Sequence, residues 1–233
     1  MRVLLTRPKD DADVFAERLR ERGHDTLSAP LLIVQFHDGP PLDLDGVQGV
    51  LVTSANGVRA LARRTTRRDL PLFAVGPQTA QEARTAGFVR VESADGDAVA
   101  LAETLPKWAA PEAGALLHAT GAEGEGKLAA ALIAKGYDVR TAVLYDVTAS
   151  ATLPQNVIGA LRDGSLNAAI FFSPRSAGVF KSCILDAGLT DVCARLIAVC
   201  ISQAAANALP PLSFGEIRVA ARPNQAALLK CLA

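Results

Sequence analysis

Three blocks of this 233-residue chain occur twice, in one order. LLTRP, a helical stretch, RGHD and APLL recur as LLHATG, a helical stretch, KGYD and AVLY. GVLVTSANGVRAL recurs as AAIFFSPRSAGVF, and FAVGPQTAQEA recurs as IAVCISQAAANA. Chance likeness among strand–glycine–helix segments would not preserve their order. The chain therefore reads as two halves of about 110 residues assembled from the same units.

The units themselves point to parallel sheets. Short apolar runs at Val3–Leu5, Gly49–Val52, Leu72–Val75, Ala115–Leu117, Ala168–Phe172 and Leu196–Val199 end in small or polar residues, and most lead into a helical pattern. Strands buried on both faces and alternating with helices are the pattern of parallel α/β folds. In the first helix Val14, Phe15 and Leu19 form a stripe of helical period, and Gly23 stops it. Two β-rich segments, LLIVQFH at 31–37 and AVLYDVTA at 142–149, fall outside the alternation. They are read as a pair of strands connecting two domains.

Charge and cysteine usage narrow the classes of partner. Lys plus Arg equals Asp plus Glu at 24 each, so bulk charge recruits neither nucleic acid nor an anionic membrane. The start turns polar after three apolar residues, too short for an export signal, and the uncharged stretch from Leu196 to Gly215 is broken by Pro210 and Pro211. Cys183, Cys193, Cys200 and Cys231 form no CxxC pair and fit a reducing compartment, so a cytoplasmic protein is expected. His24, His37 and His118 are isolated, and no metal-ligand spacing, GxSxG or phosphate-binding P-loop is present. No cofactor and no metal are expected. No feature demands an oligomer, so a monomer is expected.

The informative residues lie where strands end and helices begin. Thr53, Ser54, Ala55, Asn56 and Gly57 follow one strand; Ser173, Pro174, Arg175 and Ser176 follow its repeat. Gly76 to Thr79, Thr120 with Gly121, Thr6 with Arg7, and Ser202 occupy equivalent turns. In an open parallel sheet such turns line the ligand crevice, and free N–H groups with the positive end of the helix dipole favour anions there. Helix capping is the other reading of each Ser and Thr. Arg7 and Arg175 suit carboxylate pairing at that edge. The run Arg63, Arg64, Arg67 and Arg68 suits a helix end in solvent.

The blocks LTRP, GVLVTSANGV, AVGPQTA, the GYDV segment running on to Tyr145, and FFSPRSAGVF resemble, in order, those of the uroporphyrinogen-III synthase family, from about Val3 to the carboxyl terminus. The resemblance implies two flavodoxin-like α/β domains joined by a two-stranded β ladder. One domain is discontinuous (1–30 and 150–233), one is inserted (38–141), and 31–37 and 142–149 form the ladder. One departure is read at AVCISQAA, with Cys200-Ile201 where many relatives have Gly-Pro and Gln203 where a threonine is common, while Ser202 keeps a hydroxyl at the turn.

The same resemblance implies a chemistry. The substrate would be hydroxymethylbilane, a linear tetrapyrrole with eight carboxylates. Loss of its terminal hydroxyl gives an azafulvenium cation; attack at the substituted carbon of ring D gives a spiro-pyrrolenine. Fragmentation and reclosure yield uroporphyrinogen III and water. Unassisted closure gives the uninverted isomer, so catalysis would rest on orientation and differential binding. Tyr145 aligns with the tyrosine proposed in the family as proton donor to the leaving hydroxyl; a ladder tyrosine packing between domains is the alternative. The residues receiving the substrate would be Thr6, Arg7, Thr53, Ser54, Ala55, Asn56, Gly76, Thr79, Thr120, Gly121, Ser173, Pro174, Arg175, Ser176 and Ser202. Contact with the deaminase that makes the substrate is left open. A non-catalytic two-domain binder or sensor of small anions, or an inactive relative, fits the same features.

Overall fold

The computed structural model describes residues 1–124 and 126–232, with Asp10 described by its backbone alone. Eleven strands are described: β1 (Arg2–Leu5), β2 (Asp25–Ser28), β3 (Leu32–Phe36), β4 (Val47–Val52), β5 (Leu72–Ala74), β6 (Val91–Ser93), β7 (Ala115–Gly121), β8 (Val139–Ala149), β9 (Ala168–Phe171), β10 (Ile197–Cys200) and β11 (Glu216–Val219). The α-helices are α1 (Lys9–Arg20), α2 (Ala55–Arg64), α3 (Pro77–Thr85), α4 (Ala98–Thr104), α5 (Lys127–Ile133), α6 (Gln155–Arg162), α7 (Pro174–Asp186), α8 (Gln203–Asn207) and α9 (Gln225–Lys230).

The chain divides into two compact units, Met1–Ile33 with Thr148–Ala233, and Val34–Val147. The discontinuous unit holds a five-stranded sheet of order β2-β1-β9-β10-β11, parallel throughout. That is the flavodoxin-like order 2-1-3-4-5. The continuous unit holds β3-β8-β7-β4-β5-β6, with every pair from β8 to β6 parallel. Both divisions fall inside strands, β3 and β8, which are hydrogen-bonded neighbours.

Each sheet is covered on both faces, which is why its strands read as unbroken apolar runs. In the discontinuous unit Phe171, Phe180, Ile184 and Leu161 pack one face, while Phe15, Leu19, Val3 and Leu228 pack the other. In the continuous unit Val50 and Val52 face one side with Val58 and Leu61. Leu51, between them, faces the other with Phe73, Leu105 and Leu132. The thiols of Cys193 and Cys200 lie in the first core and are pushed up by burial to about 11 and about 12, so they stay protonated and inert.

The repeat does not coincide with the units. Its first copy supplies β1 to β6; its second supplies β7 to β11. Yet β1 and β2 share a sheet with β9, β10 and β11, while β7 and β8 share one with β4, β5 and β6. The discontinuous sheet thus takes two strands from the first copy and three from the second, and the continuous sheet four from the first and two from the second. The helix ends carry the same signature in both copies. Gly23 (φ +74°) and Gly136 (φ +89°) turn the chain through the left-handed region that L side chains avoid. The next residue then donates back to the helix, His24 to Leu19 at 3.0 Å and Tyr137 to Leu132 at 3.2 Å.

Matching the copies by sheet register corrects two pairings read from the sequence. Leu5 lies beside Ile170, and His118 beside Leu51. Ile170 and Leu51 each stand three residues before a serine helix cap, Ser173 and Ser54. His118 therefore occupies the place of Leu5, not of Thr6. On the neighbouring strands, Ala74 pairs Val52 and Cys200 pairs Phe171, so Cys200 corresponds to Ala74. The counterpart of Gly76-Pro77 is Ser202-Gln203, two residues further on. Cys200-Ile201 is no departure at the turn: Ile201 donates its N–H to Phe171 at 3.0 Å, as Val75 does to Val52 at 3.2 Å.

Candidate functional site

In the continuous unit the candidate residues gather where β4 and β5 end and α2 and α3 begin. Extended backbone at Ser54 (φ −155°, ψ 159°) turns its hydroxyl onto the first turn of α2, where it accepts the Gly57 N–H at 3.0 Å. The same oxygen lies 2.8 Å from the Tyr145 hydroxyl, which β8 carries to this point. Tyr145 is 7% exposed. Its ring lies against the main chain of Gly121, where an added Cβ would stand 2.6 Å from a ring carbon.

Asn56 follows in the first turn of α2. Its side-chain oxygen accepts from Arg59 at 3.2 Å, and Arg59 also forks onto Glu82 of α3 through two contacts of 2.9 Å. A guanidinium only donates, so this contact fixes the carboxamide with its oxygen toward Arg59 and its NH₂ away. Thr53, Ala55 and Gly76 are half-buried. Gly76 caps α3 through backbone alone, with Pro77 at the first helical position. Thr79 and Thr120 are buried, and Thr120 spends its hydroxyl hydrogen on the Gly121 carbonyl at 3.1 Å.

The discontinuous unit repeats the arrangement with different side chains. Thr6 is fully buried and donates to the Ile170 carbonyl at 2.7 Å. Arg7 holds Asp11 at 3.0 Å and lies over the Phe172 ring, 4.3 Å from its centroid. Ser173 caps α7 by accepting the Ser176 N–H at 3.1 Å, and donates its own hydrogen to the Ser176 hydroxyl, also at 3.1 Å. Ser176, 3% exposed, passes its hydrogen to the Ser173 carbonyl at 3.0 Å. Pro174 is exposed and Arg175 half-buried in the first turn. Ser202 caps the short α8 through the Ala205 N–H at 3.3 Å.

Ser173→Ala is expected to lower stability by about 1 kcal/mol, and Ser173→Gly by only a few tenths, because glycine is tolerated at an N-cap. Urea unfolding of both variants checks this; equal losses would mean that the hydroxyl does not act as a cap.

The arginine run is consumed by structure. Arg64 donates to the Pro40 carbonyl at 3.0 and 2.9 Å, and Arg68 to those of Ala62, Thr65 and Ala86. Arg63 covers the Phe36 ring at 4.1 Å. Arg67 forks onto Asp69, whose carboxyl it holds down at about 2. Carbonyls at the ends of α2 and α3 attract these cations, as the helix dipole requires.

Two residues named from the sequence, Gly57 and His118, have surroundings that their spacing did not give. Gly57, in the first turn of α2, lets the helix press on β7: a Cβ there would meet the Ala119 carbonyl at 3.0 Å. A glycine inside an otherwise helical block was the available signal. His118 is fully buried, and neither ring nitrogen has a hydrogen-bond partner among the described residues. Burial lowers its pKa.

The profile of the family "Uroporphyrinogen-III synthase HemD" matches residues 13–230. A protein of Methanocaldococcus jannaschii named "Putative uroporphyrinogen-III synthase" is 33% identical over 69 residues, 30% of this chain and 29% of that protein. Two solved structures share the fold over 100% of this chain and 98% of theirs. One is the uroporphyrinogen-III synthetase of Helicobacter pylori, at a TM-score of 0.64 and 19% identity. The other is a mutant uroporphyrinogen III synthase of Thermus thermophilus, at 0.54 and 18%. With the profile spanning nearly all of both units, the chain belongs to the uroporphyrinogen-III synthase family.

Proposed function

We propose that this chain cyclises hydroxymethylbilane to uroporphyrinogen III with inversion of ring D and loss of water. The observation that carries the reading is the Tyr145 hydroxyl, held 2.8 Å from Ser54 at the amino end of α2 in a chain of this family. A phenol so placed can give its proton to the leaving hydroxyl. The carbon–oxygen bond then breaks, water departs, and the azafulvenium cation forms.

What remains is conformational. The substrate closes unaided to the type I isomer, so the protein must favour the folded arrangement in which ring D attacks through its substituted carbon. In the continuous unit the N-termini of α2 and α3, beside the Ser54–Tyr145 pair, present main-chain N–H groups of the kind that receive carboxylates. Such neutral donors suit a chain of zero net charge facing a polyanion. A monomer in the cytoplasm suffices for this reading.

The test couples the protein to a deaminase making hydroxymethylbilane, oxidises the products and resolves the porphyrin isomers. Type III in excess of type I is expected. Type I alone, at the spontaneous rate, would overturn the proposal and leave an anion binder or an inactive relative.

A further inference from the structure

The Ser54–Tyr145 contact carries more than the position of a tyrosine. Ser54 Oγ has one hydrogen and already accepts the Gly57 N–H at 3.0 Å; the phenol oxygen lies 2.8 Å away. Two hydroxyls joined by one hydrogen bond keep one hydrogen for a third partner. When the serine donates inward, that hydrogen is the phenol's. When the phenol donates inward, it is the serine's.

The ring's seat is equally defined. Gly121 pairs with Tyr145 across a register shift between β7 and β8, and any side chain at Gly121 would overlap the ring. Phe36 packs on the ring as well, 6.3 Å between centroids. The torsion that aims the phenol O–H is left to Ser54, the hydroxyl's hydrogen-bond partner.

We infer that Ser54 is a positioning residue for Tyr145: it donates to the phenol oxygen, leaves the phenol hydrogen for the substrate's leaving hydroxyl, and Gly121 keeps open the space the ring needs. This rests on the proposed cyclisation. The step balances. The phenol proton leaves with the hydroxyl as water; the resulting phenolate keeps the Ser54 hydrogen bond; the proton released on the final closure of ring D restores the phenol.

The chain has two tyrosines, Tyr137 and Tyr145, and Tyr137 donates to the Ala109 carbonyl at 2.8 Å. Labelling the tyrosine Cζ carbons with ¹³C should therefore give two resonances, and the one lost in Tyr145→Phe identifies Tyr145 without any turnover. Ser54→Gly removes the hydroxyl while keeping a residue that helix N-caps accept. It is expected to shift the Tyr145 resonance, leave Tyr137 in place and lower kcat/KM for type III formation about tenfold. Tyr145→Phe should lose a similar factor, the double variant no more than either single one, and Ser54→Thr should return most of the loss.

A Tyr145 resonance unmoved by Ser54→Gly would overturn the contact itself. A shifted resonance with parental kcat/KM in both single variants, or losses that multiply in the double variant, would overturn the positioning role. Gly121→Ala supplies an independent arm: the resonance and kcat/KM should both change, and retention of both would remove Gly121 from the account. A parent chain without type III activity would sink the cyclisation, and this role with it, while the spectra would still report whether the two hydroxyls meet.

Discussion

Phe171→Ala is expected to cost about 3–5 kcal/mol of stability, the range for truncating a fully buried aromatic residue. Phe171 ends β9 with no exposed surface. Its ring meets Phe180 of α7 edge-on at 5.1 Å and Phe214 at 6.3 Å. Removing it opens a cavity between sheet and helix where the other two rings, 6.4 Å apart, cannot both follow. The neighbouring Phe172→Ala should cost less, because that ring is half-buried and packs against Phe15 and Arg7 at the sheet edge. Urea unfolding followed by far-ultraviolet circular dichroism compares the two. The single tryptophan, Trp108, stacks on Phe73 in the continuous unit and reports that unit separately. A Phe171→Ala loss below about 1 kcal/mol would mean that the core collapses around the gap.

Phe171 also shows what could be read from the sequence. FFSPRSAGVF was legible as strand, turn and helix because doubly covered strands are uniformly apolar and Ser-Pro is a helix start. The same uniformity hid the register. Within LLT and LLH, or AVG and AVC, nothing marks which residue faces which side, so the copies paired one and two residues out of step. The hydrogen bonds from Val75 and Ile201 to equivalent carbonyls decide the matter. Hydroxyls posed a second difficulty. A sequence shows Thr6, Thr120 and Ser173 at strand ends but not that each gives its hydrogen to a group of its own unit. Whether such a group faces a ligand or a carbonyl depends on packing, which spacing does not encode.

The divided repeat shows why local reading succeeded while assembly needed the structure. Strand, cap and stop signals act over a few residues and recur in both copies. Which strands share a sheet depends on pairing between β1 and β9 and between β7 and β4, segments far apart in the chain. Such contacts form against loop-closure entropy and leave no local mark.

His118→Leu is expected to stabilise the protein by about 1–3 kcal/mol, the range for relieving a buried polar group that lacks a partner. The imidazole sits on the face of β7 that packs with Leu51, Leu116 and Leu105, and its register counterpart in the other unit is Leu5, itself buried. The molecule thus already contains leucine at an equivalent place. The effect should grow in acid. Burial lowers the folded pKa of His118 from 6.5, so below about 6.5 the unfolded chain takes up a proton that the folded one refuses. Stability is complete above that pH and falls as the pH drops toward the folded value. The His37 ring bonds to Asp146, which raises its pKa and acts in the opposite sense, present below about 6.5 and lost as the pH rises. Comparing variant with parent at each pH cancels that term. Urea midpoints at pH 8 and pH 5.5 should therefore differ more between the two proteins in acid. A variant less stable than the parent at pH 8 would show instead that the imidazole holds a buried water, whose hydrogen bonds the leucine cannot replace.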